Sequence, residues 1–335
     1  MASYSFNVST STDTSQSQHT YLTLQERNDS IASQRLPTII FLGILVALGI
    51  IGNVTVLLVY GLRYRPTTFR LYILSLAVID LLSCCIAIPL EMADNLFPLM
   101  FYSEALCKIG RFFGNVFKIG SAFVLIVMAA GRYWKICRPF STPSTLKSAR
   151  RCVAFAIGMA VLFSWPNAII QGLKVRSYPG NVTGYDCSID DDIVKTEFPF
   201  IYSTILFVVY MVTFILLCVL YTKVVLELRR HVKKTSSFKL NDKVKKSNPR
   251  ITKLMIAITL AFILCYLPNC VLDAGTTFKR DYLFPPSPLV LGLLPLLSRT
   301  FFINNIINPV IYFIGEAKFR RILKKYLRSV YYLCV

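Results

Sequence analysis

The sequence predicts an all-α membrane protein: a seven-transmembrane helix bundle followed by a C-terminal amphipathic helix at the membrane interface. Two observations carry this. First, seven apolar stretches follow one another along the 335 residues, at 38–60, 71–92, 112–136, 152–171, 199–225, 251–274 and 287–314. Each is near the ~20 residues that a helix rising ~1.5 Å per residue needs to cross a hydrocarbon core of ~30 Å. Hydrophobic residues are 55% of the chain and charged ones only 16%, with a mean hydropathy of +0.56. A soluble core does not bury seven such runs in series.

The second observation is where the charges fall. With the N-terminus outside, the inner segments hold Arg63, Arg65 and Arg70, then Lys135, Arg138, Lys147, Arg150 and Arg151. The basic run over 223–253 and the tail from Lys318 to Arg328 are inside as well. Acidic residues collect on the outer side, apart from Glu227, Asp242 and Glu316 inside and Asp80 within the membrane. Short basic loops stay cytoplasmic, and this bias sets orientation. The net charge of +20 therefore marks loops facing anionic lipid and a cytoplasmic partner; it requires no nucleic acid.

Taken in order, residues 1–36 are polar and rich in Ser, Thr and Gln. They read as a disordered, glycosylated extracellular tail with no cleavable signal peptide, so the first helix serves as its own insertion signal. Asn7, Asn28 and Asn181 open glycosylation sequons on the outer side, whereas the sequon at Asn53 lies inside the first helix. Residues 37–315 form the bundle. Of the ten cysteines, only Cys107 and Cys187 fall on the oxidising outer face, so they are expected to pair and pin the second outer loop across the mouth. After the seventh stretch, residues 316–335 alternate apolar and basic groups at helical spacing, which suits an interfacial cytoplasmic helix with Cys334 as a palmitoylation candidate.

An ionisable group in hydrocarbon is costly unless paired or hydrated, so each one asks for a role. The third stretch closes on Gly131-Arg132-Tyr133, the sixth carries Cys265-Tyr266-Leu267-Pro268, and the seventh carries Asn308-Pro309-Val310-Ile311-Tyr312. With Asp80 in the second stretch, these motifs resemble those of rhodopsin-like (class A) G-protein-coupled receptors over about residues 38–328. The resemblance implies an extracellular ligand, a heterotrimeric G protein as cytoplasmic partner, and the plasma membrane as location. It implies that Asp80, Ser121, Asn304 and Asn308 form an allosteric sodium pocket; a polar core that merely satisfies Asp80 is the plainer reading. It assigns coupling and activation to Arg132, Tyr133, Tyr221, Phe262, Pro268, Pro309 and Tyr312. Tyr312 and Tyr221 are expected to swing inward near Arg132, and the kink at Pro268 to let helix six swing outward. No other cofactor is expected.

The departures from the family pattern are informative. Gly131 replaces the acid that normally pairs with the arginine, and Asn248 stands where helix six often carries another acid. Coupling energies of ~1–3 kcal/mol correspond to about 5- to 150-fold, so losing the restraint is expected to raise basal signalling. Alternatively, Gly131 weakens the helix and lowers coupling. Tyr266 replaces the tryptophan below the ligand, Thr213 the proline of helix five, and Ala122 the partner of Phe262.

The ligand site is expected among the outer halves of the helices, at Glu91, Asp94, Arg111, Asn115, Lys118 and Tyr266. Arg111, Gly114, Asn115 and Lys118 stand at i, i+3, i+4 and i+7 and form one inward stripe. Gly114 replaces the aspartate of amine receptors, which argues against a biogenic amine. Lys118 needs an anion: Glu91, or a ligand carboxylate. Asp186, Asp190, Asp191, Asp192 and Glu197 make the outer rim acidic, which suits a peptide with basic residues. A neuropeptide is the first reading; a chemosensory receptor for a small molecule, such as an anion, is the second. A transporter would show internal repeats and matching broken helices, and an enzyme a nucleophile or metal constellation; the sequence displays neither.

Overall fold

Helical spacing divides the first apolar helix, α2 (Leu36–Arg63), into two faces. Leu42, Leu45, Gly49, Asn53, Val56 and Tyr60 are buried, while Ile40, Ile44, Leu48, Ile51, Leu58 and Leu62 are half or more exposed. An apolar face of that extent would aggregate in water; lipid tails cover it without cost. The computed structural model describes residues 22–138, 145–235, 249–278 and 288–334. Among them, six spans are long and apolar enough to cross a membrane, with a shorter apolar seventh at Thr300–Gly315.

The second crossing is not one uniform helix. It runs as α3 (Thr68–Leu82), a π-helical turn (Ser83–Ala87) and α4 (Ile88–Leu96). Pro89 lacks an N–H, and the wider turn with Ile88 N–H donating to Ser83 C=O absorbs the missing bond. The third crossing, α5 (Glu104–Cys137), is the axis of the bundle: it touches α3, α6 (Leu146–Ile170), α7 (Phe198–Thr235) and α8 (Pro249–Phe278). The seventh breaks into α9 (Pro288–Ser298), a 3₁₀ turn (Thr300–Ile303) and α10 (Asn304–Gly315). This corrects the expectation of one continuous stretch. The Ser298 hydroxyl donates to Pro295 C=O and the Thr300 hydroxyl to Leu297 C=O, competing with the backbone ladder where Arg299 turns inward.

Two further corrections concern the outer face. The tail expected to be disordered forms α1 (Leu24–Gln34), begun by a capping box in which Thr23 and Glu26 exchange hydrogen bonds. Asn28 on α1 is buried: its amide donates to Leu96 C=O and its carbonyl accepts from Leu99 N–H. A glycan at Asn28 therefore has no room in this packing. Asn181 sits exposed at the tip of a hairpin, in the left-handed region at φ 57°; Asn7 and Asn248 lie outside the described residues. The hairpin, β1 (Gln171–Tyr178) and β2 (Val182–Ile189), is antiparallel and lies across the mouth. The Cys107–Cys187 disulfide forms as expected, with Cα atoms 5.6 Å apart. Tyr185 N–H also donates to Leu99 C=O at 2.7 Å, and a side chain at Gly184 would meet that same oxygen at 2.8 Å. Glycine is what lets the first outer loop approach the strand.

At the inner end, α11 (Ala317–Cys334) packs Phe319 under Tyr60, with ring centroids 5.7 Å apart. Arg320 caps α10 by donating to Phe313 C=O and Ile314 C=O. Cys334 is the last residue of α11.

Candidate functional site: an outer cavity above a polar core

The outer half of the bundle encloses a cavity of about 590 Å³ between α5, α6, α7, α8 and the hairpin. Arg111, Asn115 and Lys118 line it, one per helical turn, as the stripe predicted. Asn115 is already engaged: its amide donates to the Tyr202 hydroxyl at 2.8 Å, and Tyr202 donates to Phe163 C=O at 3.0 Å. Asn167 donates to Arg111 C=O. The cavity also takes in Tyr210, Cys270 and Asp273, which the sequence reading did not single out.

Three expected ligand contacts are not cavity residues. Glu91 and Asp94 lie in a separate narrow cleft beneath the disulfide, where Arg111 and Arg299 hold them. Arg111 pairs closely with Glu91, reaches Asp94 at 2.9 Å and donates to Cys187 C=O. Glu91 therefore pairs with two arginines, not with Lys118. The Lys118 ammonium instead rests over Phe301, 4.2 Å from the ring centroid. Tyr266 is 2% exposed and stacks behind the cavity on Phe262, Tyr210 and Phe301. The missed partner, Arg299, had a signal: a lone arginine after the apolar run 289–297 needs an acid.

Below lies a buried polar core. Asn308 donates to Asp80 Oδ2 at 2.8 Å, Asn53 to Gly49 C=O and Asn305 C=O, and Asn305 to the Ser83 hydroxyl. The second carboxylate oxygen of Asp80 and the carbonyl oxygens of Asn304 and Asn308 are buried with no partner among the described residues, and Ser121 is buried on α5. Acceptor oxygens without donors are the arrangement a cation would satisfy. Helices pass closely here: a β-carbon on Gly52 would lie 3.0 Å from the Pro309 ring.

At the cytoplasmic end Arg132 is 5% exposed; its Nε donates to the Met255 sulfur at 2.6 Å and its guanidinium lies over Phe69. A β-carbon on Gly131 would stand 3.1 Å from the Tyr72 hydroxyl, so Tyr72 occupies the space beside the missing acid. Tyr133 receives Lys223 over its ring, and Tyr221 and Tyr312 are buried. Tyr312 stacks edge-on against Tyr60 with centroids 5.6 Å apart. Pro268 and Pro309 lie inside α8 and α10.

A helical membrane bundle with an outer cavity, a polar core and a buried inner arginine is the architecture of a seven-helix receptor rather than an enzyme. The chain belongs to the seven-transmembrane receptor (rhodopsin) family, whose sequence model matches residues 52–312. It is 26% identical over 286 residues to neuropeptide FF receptor 2 of Rattus norvegicus, covering 81% of this chain and 67% of that one. It is 27% identical over 296 residues to neuromedin-U receptor 2 of Mus musculus, covering 85% and 73%. Among solved structures, squid rhodopsin shares the fold with a TM-score of 0.71 at 21% identity, covering 92% of this chain and 88% of that one.

Proposed function

We propose that this receptor sits in the plasma membrane with its N-terminus outside and relays binding of a neuropeptide to a heterotrimeric G protein. The observation that carries the peptide reading is the open cavity under the hairpin, with Glu197 at its mouth and Asp190, Asp191 and Asp192 beside it. Similarity to receptors named for neuropeptide FF and neuromedin-U supports it. A seated ligand presses on Tyr210; the ring stack Tyr210–Tyr266–Phe262 and Phe301 passes the displacement to α8 and α10. Pro268 and Pro309 are where those helices bend. Tyr312 then leaves Tyr60, and Arg132 becomes available to the G protein.

In the same proposal, Asp80, Ser121, Asn304 and Asn308 hold a sodium ion that favours the resting state, Asn181 carries a glycan and Cys334 a palmitoyl group. A small anionic ligand, as in a chemosensory receptor, is the second reading, and Lys118 is the residue that favours it. The deciding experiment is G-protein activation by tissue extract before and after protease digestion. Loss of activity on digestion supports the peptide, and survival supports the small molecule.

A further inference from the structure

The deep wall of the cavity sorts its polar groups into engaged and available ones. Asn115, Asn167 and Arg111 each donate to a named protein acceptor. The cluster of Glu91, Asp94, Arg111 and Arg299 matches two acids with two arginines and leaves no surplus charge to draw a ligand. Lys118 differs. Its ammonium has three N–H donors, lies over the face of Phe301, and makes no ion pair among the described residues. The charges of Glu91 and Asp273 reach it through space without an ion pair, so its N–H donors stay open to an anion.

A second donor stands on the same aromatic floor. Tyr210 is 7% exposed and lines the cavity, and its hydroxyl has no hydrogen-bond partner among the described residues. Tyr210 and Phe301 both lean on Tyr266, with centroids 6.1 and 5.8 Å away. Phe301, beneath the ammonium, and Tyr210 thus pack against one and the same ring. Asp273 lines the cavity too, and its charge is felt at Lys118. It tempers the positive field there.

We propose that Lys118 and Tyr210 together form a carboxylate-binding subsite at the cavity floor, so that the ligand enters with an anionic end first. The assignment rests on the cavity being the ligand site, as the proposed function has it. A carboxylate has two oxygens and accepts at both, one from the ammonium and one from the phenol. A peptide ending in a free carboxylate and a small carboxylic acid share this chemistry; an amidated peptide end lacks it.

The test is affinity selection on the full-length receptor in lipid nanodiscs. Two matched pools of random hexapeptides, one with free C-terminal carboxylates and one amidated, are offered beside matched pools of small carboxylic acids and their methyl esters. Recovery of the free-acid forms at least tenfold above their masked counterparts is expected on the wild type. The excess should fall to parity in Lys118→Gln, fall severalfold in Tyr210→Phe, and persist in Lys118→Arg. Parity on the wild type overturns the proposal, as does an excess unchanged in Lys118→Gln. A free-acid excess confined to the small molecules keeps the subsite and overturns the peptide reading. Surface expression and melting temperature show whether each variant folds; if Lys118→Gln does not, Lys118→Met takes its place under the same criteria.

Discussion

Arg299 and Glu91 are 208 positions apart in the chain and 2.9 Å apart in the fold. This pair ties the broken seventh crossing to the second, immediately under the disulfide, and draws Asp94 and Arg111 into one largely buried cluster. Breaking a buried pair by removing one partner leaves an uncompensated charge and costs about 3–5 kcal/mol. Arg299→Gln should therefore lower the melting temperature of the purified receptor markedly. The double variant Glu91→Gln/Arg299→Gln should cost less than the sum of the two single changes. Strict additivity would show that the pair is not coupled.

The bundle was legible in the sequence because the membrane imposes length and polarity on every crossing. Asp80, Asn304 and Asn308 were legible for the same reason: polar groups in hydrocarbon stand out, and i, i+4 spacing puts the two asparagines on one face. Lys118 stood out too, but its partner did not. Choosing between Glu91 and Phe301 depends on how the seventh crossing breaks at Arg299, and that break comes from side chains competing for the backbone. Helix α1 was missed although Thr23 and Glu26 spell a capping box, since a polar composition suggests a tail. Only the docking of Asn28 on Leu96 and Leu99 makes that helix part of the outer face.

The Gly131–Tyr72 contact bears on resting activity. Arg132 donates to a thioether, and no carboxylate beside it on the helix restrains it. Restoring the acid needs room, because a β-carbon would stand 3.1 Å from the Tyr72 hydroxyl. Gly131→Asp in a Tyr72→Phe background should lower ligand-independent G-protein activation at least fivefold relative to Tyr72→Phe alone, the low end of a coupling of ~1–3 kcal/mol. Unchanged basal activity would sink the idea that the missing acid raises it.

The unpaired oxygens around Asp80 lead to a separate expectation. An ion held at a hundred times its dissociation constant adds about 2.7 kcal/mol to stability. Replacing choline chloride by sodium chloride at equal ionic strength should raise the melting temperature of the wild type by a few degrees and leave Asp80→Asn unmoved. An equal response in both would assign the effect to salt in general, and Asp80 would then be satisfied by Asn308 and water.

Glu316 joins the first and seventh crossings at the inner end of the bundle. Its carboxylate accepts a close hydrogen bond from Tyr60 and one of 2.7 Å from Tyr64, where α10 passes into α11. Tyr60 is also the ring on which Tyr312 stacks, so the clasp holds a tyrosine assigned to activation. Hydrogen bonds to a charged group contribute ~1.5–3 kcal/mol each against ~0.5–1.5 for neutral ones. Glu316→Gln should therefore cost about 2 kcal/mol in all and raise basal activity by loosening Tyr312. Burial, then the hydrogen bond and charge of Glu316, push the Tyr64 phenol above its ordinary value. Below the usual tyrosine pKa of ~10 the folded and unfolded chains both keep that proton, and Tyr64 adds no pH dependence. Above it the unfolded chain ionises first, so stability falls as pH rises. Over pH 9–11 that decline follows the ionisation of the unfolded chain, so it reports a raised phenol and does not depend on how far above the window it is raised. Basal activity in Glu316→Gln no higher than in the wild type would mean that the clasp is contact without coupling.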